Sequence, residues 1–253
     1  MRKKRTASGT EMPFMAHLGE LRGTLIRVLI AAGAGFALCY GFSEQLLWFL
    51  WRPVGRELVF IAPTEAFFAH LKVSFLAGLV VAWPFICYQI WTFVVPGLYD
   101  YERRYTLPFV VGATVMFLLG VTFVYTLILP LGMAFLLAYG SDLLVPMISV
   151  GAYVSFAVRL FIAFGLVFEL PLVLVLLAKI GLVTSQTLAR NRKYVIVLSF
   201  LVAAVLTPPD VFTQVLMALP LLVLYEISIW LVRWMVPKRV EEVEDDVPAA
   251  AGR

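Results

Sequence analysis

The chain has 253 residues, of which 62% are apolar and 14% charged, against about 45–50% and about 25% in an ordinary soluble domain. With a mean hydropathy of +0.95, a soluble fold of this length cannot hide its apolar surface; disorder, collagen and a disulfide scaffold are excluded as well. The two cysteines, Cys39 and Cys87, stand far apart inside apolar runs and suggest neither a staple nor a metal site.

A helix crossing about 30 Å of hydrocarbon takes about 20 mostly apolar residues. In lipid such a segment must satisfy its own backbone groups, so the spans are helices. Stretches of about ten alternating residues, which a barrel needs, do not occur. The expected fold is an all-α integral membrane protein with six transmembrane helices.

Residues 1–23 form an N-terminal segment ending in an interfacial helix. There Phe14, Leu18, Leu21 and Leu25 recur as an apolar stripe, while His17, Glu20, Thr24 and Arg27 follow another face. Arg2–Arg5 does not open a cleavable signal sequence, because no short apolar run with a small-residue cleavage site follows it closely. Residues 24–232 are the membrane domain, with spans at about 24–43, 73–99, 106–129, 153–178, 194–209 and 211–232. Between the first two, Ser43 to His70 reads as short helices on the outer interface, where its tryptophans are at home. Pro130 is a natural place for the third span to end, and Pro130 to Ala152 forms a second outer segment. The fifth span, closed by Pro208 and Pro209, covers about 24 Å and falls about 6 Å short of the hydrocarbon core. The sixth has 15 residues before Glu226. The two short spans call for tilted or snorkelling residues, or for a locally thinned bilayer. Residues 233–253 are an acidic, Ala/Pro-rich tail expected to be disordered.

Lys and Arg in the short loops set the orientation. Fifteen of the 20 fall at the start, after spans two and four, and in the tail. Both termini are therefore expected in the cytoplasm. The net charge of +4 is a topology signal and not one for nucleic acid.

The polar residues leave several readings open. Glu20 is either a solvated carboxylate or a site for an outside cation, since Arg22 at i+2 does not face it. Asp100-Tyr101-Glu102-Arg103-Arg104 is either a hairpin turn with internal ion pairs, worth little at a wet surface, or one half of a carboxylate pair. Two carboxylates on separate cytoplasmic segments would suit two adjacent guanidinium groups, which bind carboxylate bidentately where lysine lacks the planar fork. Glu169, inside span four beside Pro171, is the most costly residue in the chain. It is either an interhelical hydrogen-bonding group, a docking point for another chain, or a proton relay. Pro171 leaves the carbonyl of Val167 without its usual donor. Asp210 follows two prolines and reads as an N-cap, with Gln214 on its face at i+4. Glu226 reaches the headgroups and needs no function, and Arg159 in span four has no evident partner. No nucleophile–base pair, metal cluster or nucleotide loop is present; His17 and His70 fall on opposite sides of the membrane.

Four stretches carry a resemblance: His17-Leu18-x-Glu20-Leu21-Arg22, the run from Tyr88-Gln89 through Pro96 to Glu102-Arg103-Arg104, Phe164-Gly165-x-x-Phe168-Glu169-x-Pro171, and Leu206-Thr207-Pro208-Pro209-Asp210-Val211-Phe212-x-Gln214. In this order, over about residues 12 to 235, they resemble the TatC family, the multi-spanning subunit of the twin-arginine protein translocase. The resemblance implies a concave, cupped bundle in the prokaryotic inner membrane that exports folded proteins on the proton-motive force, with no cofactor and no catalytic residue. It implies a signal-peptide site at Glu20 and Glu102, with Arg22, Arg103 and Phe93 also involved, and a functional Pro53 in the first outer segment. It further implies docking of TatA- and TatB-type single-span subunits near Thr207, Asp210 and Gln214, a polar contact from Glu169, and association with further copies of the chain. Gly23-Thr24 departs from the basic residues many relatives carry there. A proton-coupled transporter using Glu169 is the competing reading. An intramembrane enzyme fails for want of a nucleophile–base pair.

Overall fold

The computed structural model describes residues 14–55, 58–94, 106–138, 147–207 and 210–235. Ten α-helices and one pair of two-residue strands carry the described chain. These are α1 (Phe14–Tyr40), α2 (Ser43–Trp51), β1 (Leu58–Val59), α3 (Pro63–Val94), α4 (Thr106–Phe123), α5 (Leu129–Leu137), β2 (Ile148–Ser149), α6 (Val150–Phe168), α7 (Leu170–Lys179), α8 (Ser185–Arg190), α9 (Arg192–Leu206) and α10 (Val211–Met235). Five helical stretches are long and apolar enough to cross a membrane: Gly19–Tyr40, Pro63–Phe93, Thr106–Leu137, Val150–Lys179 and Val211–Met235. The segment expected as the fifth span is α9, whose 15 residues cover about 22 Å.

The outward faces are apolar, as lipid requires. Leu21, Leu25 and Leu29 of α1 are exposed, whereas Thr24 is buried and Val28 and Ala31 pack inward against Ala82, Trp83 and Ile86 of α3. Leu21 and Leu25, of the apolar stripe expected to anchor the start of α1, thus face away from the bundle.

Burying apolar side chains gains little when the surroundings are equally apolar, so close backbone approach and interhelical hydrogen bonds hold such bundles. Two crossings show this. At the first, Gly35 of α1 meets Gly78 of α3, and a Cβ on either would overlap the other's backbone. At the second, a Cβ on Gly120 of α4 would lie 2.7 Å from the Phe164 carbonyl oxygen of α6, and one on Gly165 would strike the Phe117 ring. Hydroxyls inside the helices bond back to the carbonyl four residues earlier, as Ser74 does to His70, Thr114 to Val110 and Ser228 to Leu224.

Two prolines shape the long helices differently. Pro130 does not end its helix. The residues Val124–Ile128 form a π-turn that carries α4 into α5, and Pro130 falls in the first turn of α5, where its missing N–H does least harm. Pro171 does interrupt its helix: α6 stops at Phe168 and α7 starts at Leu170, with the Glu169 amide turned to the Leu166 carbonyl at 3.1 Å.

The starts of α3 and α6 are joined. Strands β1 and β2 pair in parallel, Leu58 with Ile148 and Val59 with Ser149. Ser149 donates to the Glu65 carboxylate at 2.8 Å and caps α6 by accepting from the Ala152 amide. Tyr153 and Tyr125 donate their hydroxyls to the Leu50 and Phe49 carbonyls of α2, at 2.7 and 3.1 Å. We call this the far end of the bundle. The opposite, near end holds the start of α1, the end of α3 and the ends of α7 and α10.

Replacing Gly78 by leucine is expected to cost about 3 kcal/mol or more, because overpacking here falls on backbone. Thermal unfolding of the purified variant in detergent checks this, with Gly19→Leu, where a Cβ meets nothing within 4 Å, as the tolerant control.

Candidate functional site

The polar residues singled out in the sequence fall into three groups in space. At the near end, Glu20 and Arg22 are exposed on the first turns of α1. Arg27 folds onto its own helix, donating to the Gly23 carbonyl and the Thr24 hydroxyl, both at 3.2 Å. Helix α3 runs antiparallel to α1, since Gly35 crosses Gly78 while the earlier Val28 and Ala31 pack against the later Ala82–Cys87. Phe93, partly buried at the end of α3, therefore lies at the same end as Glu20. The chain returns there too: the Trp91 indole donates to the Thr106 hydroxyl at 2.9 Å and stacks on Phe109 at 3.9 Å. Glu102 and Arg103 lie outside the described residues, in the connection between Val94 and Thr106. Both described flanks of that connection belong to the end of the bundle that carries Glu20.

The second group is central. Glu169 is partly exposed and accepts a hydrogen bond from the Trp83 indole at 3.2 Å. Trp83 stacks on Phe117 at 3.8 Å, and Phe117 fits only because position 165 is glycine. The interhelical hydrogen bond that sequence left as one reading of Glu169 is thus present. One of its two carboxyl oxygens is committed to Trp83, a partner that no periodicity signals in the sequence.

The third group lies at the far end. Thr207 is buried and donates to the Ala203 carbonyl at 2.9 Å. Asp210 caps α10: its Oδ1 accepts from the Thr213 amide at 2.7 Å and its Oδ2 from the Thr213 hydroxyl. Gln214 donates to the Phe200 carbonyl of α9 at 3.1 Å. These residues fasten the α9–α10 corner. Beside them a groove of about 630 Å³ runs between Phe135, Asp210, Phe212 and Leu216, with Phe135 stacked on Phe212 at 4.2 Å. Pro53 lies in a one-turn 3₁₀ helix after α2, also at the far end and well away from Glu20. Glu226 does not simply snorkel; it pairs with Arg192 at 2.7 Å.

Exposed carboxylate on one rim, fastened polar corners and apolar outer faces define a polytopic α-helical membrane protein whose polar residues tie its helices together. The comparisons then give the family. The TatC profile, described as Sec-independent protein translocase protein (TatC), matches residues 16–220. Relatives bearing that name include those of Desulforapulum autotrophicum, 47% identical over 86% of this chain and 83% of the relative, and Aquifex aeolicus, 42% identical over 91% and 98%. Two crystal structures of a protein described as the twin-arginine translocase receptor TatC, one of them in DDM, are 43% identical and superpose with TM-scores of 0.79 and 0.80. Each covers 86% of this chain, which spans 98% and 99% of theirs. The chain belongs to the TatC family of protein translocase subunits, and it is not an enzyme.

Two outcomes follow. Glu169→Gln keeps an acceptor for the Trp83 indole and should leave the melting temperature in detergent close to wild type. Glu169→Leu strands that buried donor and should lower stability by about 1–3 kcal/mol. Asp210→Asn should preserve the start of α10, whereas Asp210→Ala should lose about 1 kcal/mol, read by hydrogen exchange at the amides of residues 211–214.

Proposed function

We propose that this chain is the receptor and core subunit of a twin-arginine translocase, embedded in the prokaryotic cytoplasmic membrane with six spans and both termini in the cytoplasm. In this reading the near end is the cytoplasmic rim. Glu20 on α1 and Glu102 in the connection after α3 take the two neighbouring guanidinium groups of a signal peptide, assisted by Arg22, Arg103 and Phe93. The observation that carries it is the exposed Glu20 on the end of the bundle from which the Glu102 connection departs and to which it returns, in a chain matched over most of its length to a receptor of that name. Paired arginines suit paired carboxylates because each guanidinium can form two parallel charge-assisted hydrogen bonds.

The remaining roles follow the same reading. TatA- and TatB-type single-span subunits dock at the α9–α10 corner that Thr207, Asp210 and Gln214 fasten, where Asp210 edges the groove beside Phe135 and Phe212. Glu169 has one oxygen beyond its Trp83 bond for a partner helix. Pro53 shapes the far-end segment, other copies of the chain complete the assembly, and folded cargo moves on the proton-motive force. The competing solute-carrier reading gains no support from the Glu169 contacts, which serve packing.

Site-specific photo-cross-linking to a twin-arginine signal peptide tests the receptor. Glu20→Ala and Glu102→Ala should each reduce cross-linking by about tenfold, the size of one lost charge-assisted contact. Changing both signal arginines to lysine should reduce it as well. Undiminished cross-linking in the Glu20→Ala/Glu102→Ala double variant would remove the assignment.

A further inference from the structure

Arg159 found no place in the sequence reading, and the structure gives it an unusual one. It lies on α6 nine residues after Val150, and Lys72 lies on α3 nine residues after Pro63. Because α3 and α6 start together at the far end and run the same way, the two cations come to the same depth. Both are turned to one residue: Lys72 Nζ donates to the Ser155 hydroxyl at 2.7 Å, and Arg159 Nε donates to the Ser155 carbonyl at 3.2 Å. Both side chains are exposed, and neither has a carboxylate partner among the described residues.

Arg159 also forms the polar edge of a cavity of about 410 Å³ between α5, α6 and the end of α9, whose walls include Met133, Leu136, Phe156, Val205 and Leu206. Tyr153 and Thr207 complete a mainly apolar lining in which Arg159 is the one cation, and Lys72 stands beside the cavity through its bond to Ser155. The uncharged stretch of α3 begins at Val73, so Lys72 marks the level where headgroups give way to hydrocarbon. At that level the available anion is the phosphate of a phospholipid, and the apolar walls suit its acyl chain. Unpaired charge inside the bilayer is otherwise costly.

We propose that this cavity is a phospholipid site, in which Arg159 and Lys72 hold the phosphate and the slot between α5, α6 and α9 takes an acyl chain. Two cations without a carboxylate favour an anionic headgroup. A zwitterionic one would bring its own ammonium against them.

Native mass spectrometry of the full chain in detergent, titrated with dioleoyl phosphatidylglycerol, tests this. The wild type should hold one phosphatidylglycerol about tenfold more tightly than Lys72→Gln/Arg159→Gln, and Arg159→Lys should keep most of that affinity. Dioleoyl phosphatidylethanolamine should bind more weakly, and inorganic phosphate at millimolar concentration should not displace the lipid. Equal retention by the wild type and the double variant, equal binding of the two lipids, or displacement by phosphate alone would each overturn the proposal. Should the double variant fail to fold, Ala152→Trp fills the slot from its wall with both cations in place. Loss of the lipid there supports the site, and unchanged retention overturns it.

Discussion

A bundle in lipid has no water to flee from, so its helices hold together only where backbones come within reach or where polar groups find each other. The Gly35–Gly78 and Gly120–Gly165 crossings meet the first condition. They set the distances at which everything else is placed. The second crossing admits Phe117 beside Gly165, Phe117 supports Trp83 by stacking, and Trp83 engages Glu169. A carboxyl that is expensive at that depth is thus held by a chain of contacts that starts from the absence of a side chain.

Polar ties lie at both ends of the bundle. At the far end, the paired strands and the Glu65–Ser149 bond join the start of α3 to that of α6, and the Tyr153 and Tyr125 hydroxyls hold α2 to α6 and to the π-turn. At the near end Trp91 bonds Thr106, Tyr225 the Leu188 carbonyl, and Arg192 Glu226.

Much of this was legible from residue order. The apolar runs located the helices, because in lipid a run of sufficient length admits little else. Asp210 was readable as a cap, because two prolines before an apolar helix leave its first amides in need of an acceptor. Other features were hidden for physical reasons. Helix α1 turns Leu21 and Leu25 outward and Thr24 inward, since lipid reverses the rule by which amphipathic stripes are read. Pro130 was expected to end a helix, but a wider turn absorbs it. The Trp83 partner of Glu169 and the Lys72 that bonds Ser155 both come from α3, 86 and 83 positions distant, and spacing along one helix cannot announce them.

The π-turn at Val124–Ile128 has a consequence for the whole length of its helix. A straight α-helix advances about 100° per residue, so the buried stripe Ala113, Phe117, Gly120 and Val124 would drift steadily sideways along α5. One additional residue in the turn sets the phase back by roughly that angle. Ile128, Leu129 and Met133 then pack into the same core as Val154 and Leu160. The irregular turn works as a gear tooth, keeping the buried sides of two half-helices turned into the bundle.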